Sequence, residues 1–62
     1  MRSRDVIAAL EAGGWRKVAQ KGSHIQLKHP TKTGRVTVPH PERDIPLGTL
    51  RSIEKQSGMK VR

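Results

Sequence analysis

The sequence predicts an α+β fold in which a three-stranded antiparallel sheet lies between two helices along the chain. Apolar residues recur at helical spacing in one segment near each end of the chain. Between these segments, two short stretches alternate apolar and polar residues, which is typical of half-buried strands. Because both helices must bury their apolar sides, we expect them to pack on one face of the sheet.

The first helix is expected between Ser3 and the Gly13-Gly14 pair. Serine is a favoured N-cap residue, and Asp5 then lies in the first turn, where the helix dipole stabilises an anion. Glycine readily ends a helix because it adopts the left-handed C-cap conformation without steric cost. The apolar stripe of this helix consists of Val6, Ile7 and Leu10.

The second helix is expected from about Pro46 to Gly58. Proline is tolerated in the first turn of a helix, and Gly58 supplies another C-cap. Beyond this glycine, Met59 and Val61 are expected to fold back onto the core. The apolar stripe of this helix consists of Leu47, Leu50 and Ile53.

Turns divide the middle of the chain into three strands. The first strand is expected at Trp15–Gln20, although its alternation is poor, and the turn Lys21-Gly22-Ser23 leads into the second. The second strand, His24–Lys28, alternates cleanly, and so does the third, Arg35–Val38. The turn between them is expected at residues 30–34.

The alternation gives the sheet two different faces. Successive side chains of a strand point to opposite faces, so the apolar positions of the second and third strands should face the helices. These positions are Ile25, Leu27, Val36 and Val38. The opposite face, called the outer face below, then carries His24, Gln26, Lys28, Arg35 and Thr37. It is cationic and holds one imidazole, an arrangement that suits a phosphate backbone.

The chain has 62 residues, which predicts a single domain over residues 1–62.

The charge of the chain favours a polyanionic partner. Thirteen Lys and Arg against five Asp and Glu give a net charge of +8. Nucleic acid is the first candidate partner and an acidic protein the second. The alternative is a surface whose charge serves solubility alone.

Composition also argues against several other classes of protein. The absence of cysteine excludes disulfides and thiolate metal sites. No histidine or carboxylate spacing matches a metal motif, so we expect no metal and no cofactor. We expect no membrane association and a cytoplasmic location, because the chain shows neither a signal peptide nor an apolar run of spanning length.

His24 is the candidate for acid–base chemistry on the outer face. A neutral imidazole beside a phosphodiester can accept the proton of an RNA 2′-hydroxyl, and nearby cations can stabilise charge on the phosphate. Lys21 and Lys28 flank His24 along the chain. Ser23 could hydrogen-bond the phosphate or serve only the turn, and Gly22 is expected to adopt a positive φ there. From spacing alone, an exposed histidine without a catalytic role remains the alternative.

Three other rings could also take part in such chemistry. His29 and His40 could each protonate the 5′-oxygen leaving group, or could serve as turn residues or phosphate contacts. Trp15 could stack on a base. As the only large ring of the chain, it is instead expected in the core, between the first helix and the sheet.

Longer motifs resemble a known family. The segments GGWRKVAQKGSHIQLKHP, VTVPHP and IPLGTLRSIEKQSGM, in this order, resemble the HicA toxins, also described as YcfA-like proteins. The resemblance extends from the first helix to the glycine that ends the second. Its most specific parts are Gly22-Ser23-His24, Val38-Pro39-His40-Pro41 and the run from Gly48 to Ile53.

The resemblance implies a double-stranded-RNA-binding-domain-like fold with the order α-β-β-β-α. It also implies the toxin of a type II toxin–antitoxin system, an mRNA interferase that is neutralised by a HicB-type antitoxin. The family's catalytic histidine corresponds to His24 through the Gly-Ser-His match. The expected reaction is metal-independent endonucleolytic cleavage by 2′-hydroxyl attack, which leaves a cyclic phosphate. We expect RNA contacts from Lys21, Ser23, Lys28 and Arg35.

Two non-catalytic alternatives remain. An RNA-binding module could use the same fold and basic surface. Double-stranded-RNA-binding domains, however, gather lysines at the start of the last helix, where Pro46 to Thr49 contain none. A DNA-binding repressor is the other alternative, but no helix-turn-helix pairing is visible. Cleavage-site preference and oligomeric state stay open.

Overall fold

The computed structural model describes residues 1–62 and has the order α-β-β-β-α. The elements are α1 (Ser3–Ala12), β1 (Arg16–Lys21), β2 (His24–Lys28), β3 (Arg35–Pro39) and α2 (Leu47–Ser57). The strands form one sheet in the order β1-β2-β3, with both neighbouring pairs antiparallel. The predicted fold class is therefore confirmed. Neither helix is long and apolar enough to cross a membrane.

Both helices pack on the same face of the sheet, around one hydrophobic core. Trp15 is fully buried in this core, as predicted, and Val61 folds back onto it after α2. Ile45, in the loop before α2, also belongs to the core, although no periodic pattern singled it out. The other buried apolar residues are Val6, Ile7, Leu10, Ile25, Leu27, Val36, Val38, Leu50 and Ile53.

β1 is the least covered strand, since all six of its residues are exposed. Its register with β2 shifts around Val18, so that Lys17 pairs with Leu27 and Arg16 pairs with Lys28. A β-bulge of this kind places two residues of one strand opposite one residue of its partner. The bulge accounts for the poor alternation of this segment in the sequence.

Ser3 is not the N-cap of α1, contrary to the prediction. Arg2 occupies the capping position with extended backbone, and no side chain caps the helix. Ser3 is the first helical residue and is buried. Its Oγ lies 2.7 Å from His40 Nδ1 and accepts a hydrogen bond from the Glu42 N–H at 3.0 Å. The hydroxyl is therefore engaged by the loop after β3 instead of by its own helix.

α2 begins after Pro46 and ends at Gly58 in the left-handed conformation, as predicted. Leu47, however, is 49% exposed, whereas Leu50 is 5% exposed. The buried positions of α2 are 50, 53 and 57. At 3.6 residues per turn, Leu47 lies about 90° from the centre of that stripe. Its assignment to the buried stripe was therefore wrong.

Candidate nucleic-acid interface

His24 is the first residue of β2 and lies on the outer face of the sheet. The two-residue turn Gly22-Ser23 precedes it, and Gly22 has a φ of 58°. Lys21 and Pro39 are its cross-strand partners on β1 and β3. Directly opposite residues of antiparallel strands share a face, so Lys21, His24 and Pro39 form one end of the outer face. The exposed Ser23 side chain belongs to the same end.

The imidazole of His24 differs from the other two in having no partner within the chain. It is exposed, whereas His29 and His40 are half-buried. All the histidine ring hydrogen bonds of the structure belong to His29 and His40. Both ring nitrogens of His24 are therefore available to a bound molecule, which is what an acid–base group needs.

The opposite end of the outer face carries two of the other predicted contacts. Lys28 pairs with Arg35 on β3. It lies four residues from His24, which corresponds to about 13 Å along an extended strand. Arg35 Nη1 donates a hydrogen bond of 2.6 Å to Gln26 Oε1, so its guanidinium leans towards the middle of the outer face. The predicted contacts thus form two groups, one beside His24 and one at the far end of β2.

Arg16 is a further cation near that far end, which the sequence reasoning missed. It pairs with Lys28 because of the bulge at Val18. Its guanidinium donates to the carbonyls of Glu11 and Trp15, where α1 ends. Arg16, Val18 and Lys28 also line a groove of about 490 Å³. Without the bulge the pairing would shift by one residue, so no local sequence signal could have placed Arg16 here.

The cations of the outer face are not neutralised by the chain itself. The structure has two ion pairs, between the N-terminal amine and Asp44 and between Arg62 and Glu54. Neither involves Lys21, Lys28 or Arg35. Unpaired cations on one surface create a positive potential that attracts polyanions. No three His, Asp or Glu side chains come together in a group that could hold a metal ion.

His29 is held in a structural role by both ring nitrogens. Nδ1 accepts hydrogen bonds from the N–H groups of Thr31 and Lys32, at 3.1 and 3.2 Å. Because Nδ1 is an acceptor, Nε2 carries the proton and donates to the Gly13 carbonyl at 3.0 Å. The ring also packs edge-on against Trp15, with centroids 5.3 Å apart. These contacts leave no ring nitrogen of His29 free for a substrate.

His40 lies close to the turn that carries His24. Its backbone N–H donates to the Ser23 carbonyl at 2.7 Å. Its Nδ1 is engaged by Ser3, while its Nε2 has no partner within the chain. Of the three histidines, His29 therefore has no free ring nitrogen, His40 has one and His24 has two.

The fold and this surface define a small, basic α+β domain with an exposed imidazole at one end of a cationic sheet face. The family described as the HicA toxin of bacterial toxin–antitoxin systems matches residues 3–59, which include all five elements. The chain therefore belongs to the HicA toxin family, as the motifs had indicated.

A solved structure supports the same assignment. A chain of the HicA3 and HicB3 toxin–antitoxin complex is 34% identical in sequence and superposes with a TM-score of 0.84. The match covers 97% of each chain, so the two chains share the complete fold. A search of curated proteins finds no match.

Proposed function

We propose that this protein is the toxin of a type II toxin–antitoxin pair and acts as a metal-independent endoribonuclease on mRNA. His24 is its catalytic residue. The observation that carries the proposal is the state of His24: it alone among the histidines is exposed with both ring nitrogens free, on a face whose cations are unpaired. Membership of the HicA toxin family supports the same assignment.

In the proposed reaction, a neutral His24 nitrogen accepts the proton of an RNA 2′-hydroxyl. The 2′-oxygen then bonds to the adjacent phosphorus, and the bond from phosphorus to the 5′-oxygen breaks. The departing 5′-oxygen takes a proton from water, and the hydroxide left behind takes the proton from His24, which returns to its neutral form. The products are a 2′,3′-cyclic phosphate and a 5′-hydroxyl. Lys21, directly opposite His24, is positioned to stabilise the charge that develops on the phosphate oxygens.

RNA on one side of the cleaved bond would follow the outer face. Ser23, in the turn, directly precedes His24, and Lys28 at the far end of β2 pairs with Arg35 on β3. Lysine and arginine contacts to phosphates hold the chain without reading its sequence. These residues are therefore proposed to position the RNA, while His24 carries the chemistry.

The proposed protein partner is a HicB-type antitoxin. The similar solved chain comes from a complex of HicA3 with HicB3. A partner that covers the outer face of this chain would block His24 and neutralise the cations around it. The proposal places both the reaction and this inhibition in the cytoplasm, where mRNA is translated.

Cleavage assays with purified protein test the proposal. Wild type, His24→Ala and Gln56→Ala are incubated with an end-labelled mRNA fragment, with and without EDTA. Gln56 is the matched control, because it is exposed on α2, whereas His24 lies on the opposite face of the sheet. We expect His24→Ala to lower the cleavage rate by about 10²- to 10⁴-fold, which is the usual contribution of a general base.

Each part of the proposal has an outcome that contradicts it. Equal rates for His24→Ala and wild type would exclude His24 as the general base. Loss of activity in EDTA would exclude the metal-independent route, and products without a cyclic phosphate would exclude attack by the 2′-hydroxyl. If all three proteins bound RNA equally and none cleaved it, the non-catalytic RNA-binding module would be the correct interpretation.

A further inference from the structure

A small positively charged cavity lies between the start of α1 and the loop after β3, next to the end of the outer face that carries His24. Its volume is about 160 Å³, room for several water molecules of about 30 Å³ each. The residues that line it are Arg2, Ser3, Arg4, His40, Pro41, Glu42 and Arg43. Three arginines thus share the cavity with one carboxylate, which leaves it with an excess of positive charge.

The arginines of this cavity have no partner within the chain. Neither of the two ion pairs involves Arg2, Arg4 or Arg43. Glu42 lines the same cavity yet forms no ion pair with them. Guanidinium groups are planar donors that match the oxygens of a phosphate, often through two parallel hydrogen bonds. Their unpaired state leaves these donors available to an anion.

His40 adds a directed donor to the cavity. The buried Ser3 hydroxyl accepts a hydrogen bond from the Glu42 N–H, so the neighbour that can accept its own proton is His40 Nδ1, 2.7 Å away. Leaving the proton of a buried hydroxyl unpaired would be unfavourable. Nδ1 is therefore the acceptor, and Nε2 carries the proton of the neutral ring. Nε2 has no partner within the chain and can donate to an anion.

The cavity is directly connected to the turn that carries His24. The backbone N–H of His40 donates to the Ser23 carbonyl, one residue before His24. At the helix N-terminus, the N–H groups of Ser3 and Asp5 already donate to the Glu42 and Arg2 carbonyls. Binding would therefore depend on side chains, the arginines and His40, which makes it testable by substitution.

We propose that this cavity is a second phosphate-binding subsite for the RNA chain whose cleaved bond lies at His24. The proposal rests on the function proposed above. Arg4, Arg43 and His40 Nε2 hold a phosphate of the flanking RNA there. The subsite positions the substrate and takes no part in the proton transfers.

Binding of an RNA that cannot be cleaved tests the subsite. The probe is a fluorescein-labelled oligoribonucleotide with 2′-O-methyl groups, followed by fluorescence anisotropy at several salt concentrations. The Arg4→Gln/Arg43→Gln double variant is compared with wild type and with Arg51→Gln/Lys60→Gln. This control removes the same charge from two exposed side chains that do not line the cavity. Circular dichroism verifies that both variants are folded.

We expect the cavity variant to weaken RNA binding by about tenfold or more, and the control to change it by about twofold or less. The slope of log affinity against log salt should become shallower by about 0.7, the loss of one phosphate contact to a single strand. Equal RNA affinities and equal salt dependence of the two double variants would overturn the proposed subsite.

Two further measurements separate this result from failure of the proposed function. Wild type and His24→Ala are assayed in parallel on the matching cleavable RNA. Normal cleavage that depends on His24, together with unchanged RNA binding by the cavity variant, would overturn the subsite alone. A wild type that neither binds nor cleaves RNA would overturn both proposals. If the cavity variant binds RNA normally but binds a HicB-type antitoxin weakly, the cavity recognises an acidic protein and the subsite is wrong.

Discussion

Alanine at Gly14 should destabilise this protein much more than alanine at Gly34, although both glycines have a positive φ. The φ values are 96° and 81°, respectively. A Cβ atom at position 14 would lie 2.7 Å from His29 Nε2 and 3.3 Å from its Cδ2. A Cβ atom at position 34 would have no neighbour within 4 Å. The comparison therefore separates the backbone cost, which the two sites share, from the cost of displacing His29.

The shared backbone cost is modest. A non-glycine residue in the left-handed region costs about 1–2 kcal/mol, and alanine recovers about 0.4–1 kcal/mol by restricting the unfolded chain. Gly34→Ala should thus cost about 1 kcal/mol. Gly14→Ala must also move the His29 ring. This movement would break its hydrogen bond to the Gly13 carbonyl and the two that its Nδ1 accepts from the N–H groups of Thr31 and Lys32. At about 1 kcal/mol for each lost hydrogen bond, the additional cost is about 2–3 kcal/mol.

Thermal unfolding followed by circular dichroism measures this difference. In a domain of this size, 1 kcal/mol shifts Tm by about 4–8 °C. Gly34→Ala should therefore lower Tm by about that amount, and Gly14→Ala by about 12 °C or more. Urea unfolding at one temperature then gives the two free-energy differences directly.

Equal losses at the two glycines would refute the reasoning. A His29→Ala background supplies a second check, because the ring that the new Cβ atom would strike is then absent. In that background, Gly14→Ala should cost about as much as Gly34→Ala. If Gly14→Ala stays the more costly change there, the contact with His29 is not the cause.

Other predictions concern α2 and the C-terminus. Leu50→Ala should lower the free energy of unfolding in urea by about 2–5 kcal/mol, and Leu47→Ala by less than about 0.5 kcal/mol, because only Leu50 is buried. Similar losses of stability in the two variants would contradict the packing of α2. Hydrogen bonds from the Arg62 guanidinium and the Val61 N–H hold the pKa of Glu54 below its ordinary value of 4.5. A carboxylate whose pKa is lowered on folding adds stability above its ordinary pKa, and this stability is lost as pH falls through the folded value. Glu54→Gln should therefore be less stable than wild type at neutral pH, and the difference should shrink below about pH 4. Parallel stability–pH curves for the two proteins would contradict this interpretation.

The order and type of the five elements could be predicted because their signals are local. The alternation of His24–Lys28 requires only that one face of a strand be buried. Gly14 and Gly58 adopt a positive φ at the ends of α1 and α2, which glycine does without steric cost, whereas Gly13, the C-cap residue of α1, has an ordinary φ of −87°. The boundaries of β1 were one residue off at each end, since a bulged edge strand lacks a regular period.

Much of the candidate site could also be located from the alternation of side chains along each strand. Once Ile25 and Leu27 are assigned to the core, His24 and Lys28 must face the other way, and the structure places them there. The spacing of His24 and Lys28 along β2 can also be read from the sequence, but the positions of Lys21 and Arg35 opposite them follow from the cross-strand register. Register is the pairing of residues on neighbouring strands. It is decided when the strands come together, so the pattern within one strand could not supply it.

The sequence by itself determined the fold class, the polar character of the outer face and the exposure of His24. These follow from short-range periodicity and from the special backbone conformations of glycine. Only the tertiary structure decided the rest. Ser3 and His40, 37 residues apart, meet because α1 packs beside the end of β3. That contact occupies the hydroxyl expected to cap α1 and forms the wall of the arginine-lined cavity. Such contacts join segments far apart in the chain, and they depend on how the elements pack together.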